Sequence, residues 1–310
     1  MRIFAWHVHG SWMTAFVQGR HRTFVPVLPD RGPDGRGRAR TWTWPDSVVE
    51  VAPSAARGLD VDVVILQRPH ERALAARWLG RRPGVDVPAV YVEHNAPQGA
   101  VNEMRHPVAD LPGTTLVHVT HFNRLFWDAG PARTVVIEHG IVDPGPRYEG
   151  TLARGAVVIN EPARRGRVVG ADLLARLGKA APLDLFGMEV AAFGGIENLP
   201  QAALHRALAK RRFYLHTMRW TSLGLSLLEA MQLGMPVVAL ATTEVPAAVP
   251  PDAGVVSNRL DVLEAAMRML LHEPERAREM GRAARRSALA RHGLGRFLGD
   301  WDRLLAQVTE

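Results

Sequence analysis

Short runs of valine, isoleucine and leucine recur along the whole chain, separated by helical patterns, and they restrict its fold more than any other feature. They fall at 2–6, 23–28, 61–66, 89–93, 116–120 and 134–138, then at 156–160, 183–186, 213–216, 236–241 and 253–256. Polar residues seldom alternate within them. Strands of this kind are covered on both faces, as in parallel sheets flanked by helices. Helical periodicity lies between them at 71–79, 166–177, 201–208, 225–233, 259–271 and 274–291. The expected fold is therefore α/β, with two doubly wound domains and a ligand cleft at the carboxyl ends of the strands.

At 310 residues the chain is long enough for two such domains. We expect an N-terminal domain over 1–142 and a C-terminal domain over 143–293. A final amphipathic helix, 294–310, should carry Phe297, Trp301, Leu304 and Leu305 on one face. The Gly- and Pro-rich stretch 140–151 reads as the linker, and residues 30–45 as an exposed, mobile loop.

No apolar run reaches the length of a membrane-spanning helix. The start, M-R-I-F-A-W-H-V-H-G, reads as a first strand and its loop, not a leader. With no cysteine, disulfides, thiolate metal sites and a cysteine nucleophile are excluded, and a cytoplasmic location is expected. The net charge is +7, and all basic residues except Lys179 and Lys210 are arginine. Acids are interspersed among them and no nucleic-acid-binding motif occurs, so no nucleic-acid partner is expected; contact with an anionic inner membrane face stays open. H-E-x-x-H, G-x-S-x-G and the P-loop motif are all absent, which argues against a zinc protease, an α/β-hydrolase and a P-loop ATPase.

The run 220–239, W-T-S-L-G-L-S-L-L-E-A-M-Q-L-G-M-P-V-V-A, carries the strongest chemical signal. An apolar helix with a lone acid, Glu229, follows a polar turn, Thr221-Ser222-Leu223-Gly224. A carboxylate there is costly unless it has a partner or a ligand. At a helix start it could accept hydrogen bonds from a ribose diol, and backbone N–H groups near Gly224 could hold phosphate or a sugar hydroxyl. A first-turn acid with no ligand is the alternative.

This run resembles the signature of retaining GT-B glycosyltransferases, which has two glutamates eight residues apart and then E-A-M-x-x-G-x-P-V-V. Residues 229–238 match the second half; the first glutamate is replaced by Thr221. The resemblance implies two Rossmann-like domains facing a central cleft, and transfer of a hexose from a nucleoside diphosphate sugar with retention of configuration. It implies that Glu229 binds the donor ribose and that Thr221, Ser222, Leu223 and Gly224 line the donor site, Thr221 without a carboxylate's chemistry.

The segment Asn160-Glu161-Pro162-Ala163-Arg164-Arg165-Gly166 resembles the family's diphosphate grip. Arg165 stands where a lysine is usual, with Arg164 or Asn160 in support; a solvated loop is the alternative reading. In the first half, Gly10 and Ser11 follow the first strand as a phosphate or acceptor loop. His94 ends the run Val90–Asn95 where the family has an active-site histidine, although a hydrogen-bonded loop histidine would read the same. The resemblance thus makes His94 and Arg165 the catalytic candidates, with no cofactor and no metal. The acceptor is expected to be a glycan, a lipid-linked group or a small molecule. Loss of transfer with retained sugar-nucleotide binding is the competing expectation raised by Thr221.

Overall fold

The computed structural model describes residues 1–310 as two units, Met1–Gly140 with Leu294–Glu310, and Ile141–Gly293. The first contains seven parallel strands: β1 Arg2–Ala5, β2 Arg22–Pro26, β3 Val48–Val51, β4 Val63–Leu66, β5 Ala89–Glu93, β6 Thr114–His118 and β7 Thr134–Val136, in the order β3-β2-β1-β4-β5-β6-β7. The second contains six, in the order β10-β9-β8-β11-β12-β13: β8 Leu152–Val158, β9 Leu183–Gly187, β10 Ile196–Glu197, β11 Arg211–His216, β12 Val237–Ala239 and β13 Gly254–Val256. All pairings are parallel. In both units the order reverses beside the first strand, as in doubly wound sheets. No helix is long and apolar enough to cross a membrane.

Helix Leu294–Thr309 buries Phe297, Trp301, Leu304 and Leu305 in the first unit. Trp12 and Phe16 meet Trp301 edge-on, with ring centroids 5.7 and 5.0 Å apart. Arg296 fastens the same helix to the carbonyls of Glu138 and His139, both at 2.8 Å. These contacts also account for helix Gly10–Phe16, absent from the sequence reading. Its composition, G-S-W-M-T-A-F, is poor in helix formers, but five of its seven residues are buried.

Two stretches read as irregular are bonded to their own units. Residues 30–45, read as an exposed loop, are anchored through Arg38 and Trp44. Arg38 donates to the carbonyls of Trp44 and Pro45, at 2.6 and 3.0 Å, and to that of Val48. Trp44 is buried and its indole N–H donates to Thr14 Oγ1 at 2.8 Å. The stretch 140–151, read as the linker, contains the boundary between the units at Gly140, and beyond it the chain is bonded to the second unit. Asp143 pairs with Arg285 at 2.7 Å, Tyr148 donates to the Arg212 carbonyl at 2.7 Å, and the Arg147 and Tyr148 amides donate to Leu233.

The helix expected over 166–177 is also broken, into 3₁₀ turns at Gly166–Val168 and Ala171–Leu173 and a short helix Leu174–Leu177. Gly170, at φ +73°, interrupts it. A Cβ on Gly170 would stand 2.1 Å from the Thr217 carbonyl, so glycine permits this backbone approach.

Candidate functional site

In the second unit the chain leaves β8 through Ile159, Asn160 and Glu161, the last in the left-handed region at φ 54°. Asn160 Oδ1 accepts from the Met188 amide at 2.9 Å, and the Glu161 amide donates to the Met188 carbonyl at 2.8 Å. Arg164 turns back onto the Glu161 carboxylate, its Nε 3.0 Å away. A phosphate reaching Arg164 would compete with that carboxylate. Arg165 makes no such pair and is half-buried. Burial, and then the charge of Arg164, pull its pKa below the usual arginine value; a guanidinium remains charged in proteins regardless.

The same segment is fastened to the loop after β11. Thr217 Oγ1 donates to the Val169 carbonyl at 2.8 Å, and the Arg219 amide to Val168 at 2.9 Å. The Arg219 guanidinium reaches Asp172 Oδ2 at 2.9 Å and the Arg167 carbonyl at 2.8 Å. The arginine segment and the run 217–224, far apart in sequence, are thus neighbours at the carboxyl ends of β8 and β11.

Within that loop Thr221 is half-exposed, while Ser222 is buried with its hydroxyl unpartnered. The Leu223 side chain lies in the hydrophobic core, which leaves only its backbone for a ligand. Gly224 has an ordinary φ of −70°. The space where its Cβ would stand holds the His216 ring, 2.5 Å away at Cε1. Burial pushes His216 down to about 4, so the ring is neutral near pH 7.

Glu229 is not at the helix start. Helix Leu225–Leu233 has no acid in its first turn, and Glu229 sits in the second, 3% exposed. Its Oε2 accepts from Gln201 Nε2 at 2.6 Å and lies 3.2 Å from His205 Nε2, both on helix Gln201–Ala209. These partners, rather than the helix dipole, offset the cost of burying the carboxylate. Sequence spacing gave no signal for either.

In the first unit three histidines gather at the carboxyl ends of the strands. The His94 ring, just past β5, lies tilted against His9, with centroids 4.1 Å apart, is stacked with His139 at 6.1 Å, and meets Trp12 edge-on at 5.1 Å. His94 Nε2 is buried without a hydrogen-bond partner. Burial above all, and then His9 and His139, drive its pKa well below the usual imidazole value. The ring is a neutral imidazole. Gly10 opens helix Gly10–Phe16, and half-buried Ser11 follows it. The Trp42 indole nitrogen lies 3.8 Å from where a Gly10 Cβ would stand.

Two residues the sequence reading passed over support His94. Buried Glu93 accepts from the Asn95 amide at 2.6 Å, and its other oxygen meets His106 Nε2 at 2.9 Å. The Val108 amide, 3.2 Å from His106 Nδ1, donates to that nitrogen, so Nε2 carries the hydrogen given to Glu93. Trp127 donates to the Asn95 carbonyl at 2.9 Å. The turn that presents His94 is thereby held from two sides. No group of three or more histidine and carboxylate side chains is placed to hold a metal ion.

Two Rossmann-like units with these parallel strand orders define a GT-B architecture. Residues 194–287, all in the second unit, match the family model for glycosyl transferases group 1. Fold and match together support a GT-B glycosyltransferase.

Among solved structures, sucrose-phosphate synthase of Thermosynechococcus elongatus is similar with a TM-score of 0.73 and 12% identity, over 99% of both chains. Anabaena HepE, in complex with UDP-glucose, is similar with a TM-score of 0.70 and 14% identity, over 99% of this chain and 100% of HepE. A Staphylococcus aureus (S. aureus) TarM variant, in complex with UDP among other ligands, reaches 0.61 and 13% over 78% of this chain, which spans only 55% of TarM. At such identities the likeness is one of fold. No curated protein sequence matches the chain.

Proposed function

We propose that this protein transfers a hexose from a nucleoside diphosphate sugar to an acceptor hydroxyl, with retention of configuration. The observation that carries the reading is the group 1 match, whose span contains Thr221 and Glu229. Similarity to HepE, whose structure is in complex with UDP-glucose, supports UDP-glucose as the first donor to test.

In this reading the Glu229 carboxylate accepts hydrogen bonds from the donor ribose. Arg165, the cation not already paired with a carboxylate, stabilises charge as it develops on the leaving diphosphate. Backbone groups of 221–224 hold phosphate or sugar hydroxyls. His94, a neutral imidazole, offers Nε2 to the sugar as a donor or acceptor without adding charge. The acceptor is a glycan, a lipid-linked group or a small molecule.

The test is incubation with UDP-glucose and an acceptor panel, reading UDP release and the anomeric configuration of the product by NMR. Product with the donor's configuration is expected. Inverted product would overturn retention, and failure to bind any sugar nucleotide would overturn the donor assignment. Thr221 favours a second reading, a protein that binds a sugar nucleotide without transfer. Tight binding with no turnover across the panel would establish it.

A further inference from the structure

Gln201 Nε2, His205 Nε2 and Glu229 Oε2 form a closed triangle with sides of 2.6, 2.8 and 3.2 Å. All three residues belong to the second unit, on two packed helices, and His205 and Glu229 are buried. An amide carries two N–H hydrogens, enough to donate to the carboxylate and to an unprotonated imidazole nitrogen together. When Nε2 bears the hydrogen, the imidazole itself donates to Oε2. In either arrangement the carboxylate keeps a donor from helix Gln201–Ala209.

A glutamate has three side-chain torsions, and ordering them on ligand binding costs free energy. A carboxylate already fixed by partners from a rigid helix avoids that cost. An ionised carboxylate is an acceptor-only group, the property a pair of neighbouring hydroxyls requires.

We infer that Gln201 and His205 are positioning residues that hold Glu229 ready for a cis-diol, so that this site selects ribonucleotides over 2′-deoxyribonucleotides. The inference rests on the nucleotide reading of the preceding section and assigns the two residues by which the site makes that selection.

Calorimetric titration of UDP, GDP and ADP, each beside its 2′-deoxy counterpart, tests it. The wild-type protein should bind at least one ribonucleotide about tenfold or more tighter than the deoxy form, as loss of a hydrogen bond to a charged group predicts. Gln201→Ala and His205→Ala should weaken the ribonucleotide several-fold and leave the deoxynucleotide nearly unchanged, so that the ratio falls towards one. His205→Gln, which keeps a donor, should restore most of the ratio. A thermal melt of each variant confirms folding, and a variant that unfolds is replaced by Gln201→Met, which keeps the volume. A purely structural role would weaken both nucleotides in parallel; that result, or an unchanged ratio, overturns the inference while the donor assignment stands. A wild-type protein that binds none of the six overturns the nucleotide reading itself.

Discussion

The His216 ring occupies the space beside Gly224 that any larger residue would need, 2.5 Å from a Cβ built there. Both residues belong to the second unit, one ending β11 and the other preceding helix Leu225–Leu233. Gly224→Ala must therefore push the ring or the loop aside. We expect a loss of about 1–3 kcal/mol in stability, as for other overpacked sites, together with weaker sugar-nucleotide binding. Urea denaturation and calorimetry check the two effects. An alanine variant of wild-type stability would show that the loop yields freely.

Arg164 and Arg165 are adjacent but should behave differently. Arg164 is exposed and its charge is taken up by Glu161; a surface pair of that kind is screened by solvent and contributes little. Arg165→Ala should lower turnover about a hundredfold or more, the scale seen when a single group stabilising transition-state charge is removed. Arg164→Ala should change turnover by only a few-fold. Initial rates for both variants at saturating donor decide it, and equal losses would refute the asymmetry.

Restoring the missing carboxylate tests what Thr221 does. Thr221→Glu recreates the first glutamate of the signature that 229–238 complete. If the site is a transferase slowed by this replacement, donor turnover should rise about tenfold, a modest share of general catalytic effects. UDP release, measured with and without acceptor, reports it. A variant that binds UDP-glucose as before with no gain in rate would place donor selection elsewhere.

Acid should destabilise both units. Burial pushes His118 down to about 3 and His216 down to about 4, whereas an unfolded histidine titrates near pH 6.5. Between those values the unfolded chain binds protons that the folded chain does not. Stability is therefore full above about pH 6.5 and falls as pH drops towards 4, by on the order of a few kcal/mol for each ring. Urea midpoints at several pH values give the slope. His118→Gln, neutral at every pH, should flatten it.

How much of this could be read from residues alone depended on whether the cause was local. Helix Leu225–Leu233 was legible because strong helix formers run from Leu227 to Gly234, whose φ of +93° ends it. Strand β10 was invisible because it is two residues long. The edge strand β3 was missed inside a polar neighbourhood. Helix Gly10–Phe16 depends on Trp301 and Phe297, residues supplied by the other end of the chain.

The site divides in the same way. His94 and Glu229 stood out because a polar group ended or interrupted an apolar run. The partners of Glu229 could not, since Gln201 and His205 lie on a different helix. The pairing of Arg164 likewise depends on the left-handed backbone at Glu161, which no spacing rule announces.

The two crossings between units have a consequence for synthesis. Ile141 and Gly293 form a β-bridge, and the Ile141 amide donates to the His292 carbonyl at 3.1 Å, so the second unit closes on itself at its own ends. It is one continuous stretch of chain. The first unit is not: its core around Trp12 stays open until Phe297 and Trp301 have been made. On a ribosome, where domains fold as they emerge, the unit begun first is thus the one completed last. For as long as translation takes to reach residue 301, the nascent chain carries an exposed aromatic surface for chaperones to cover.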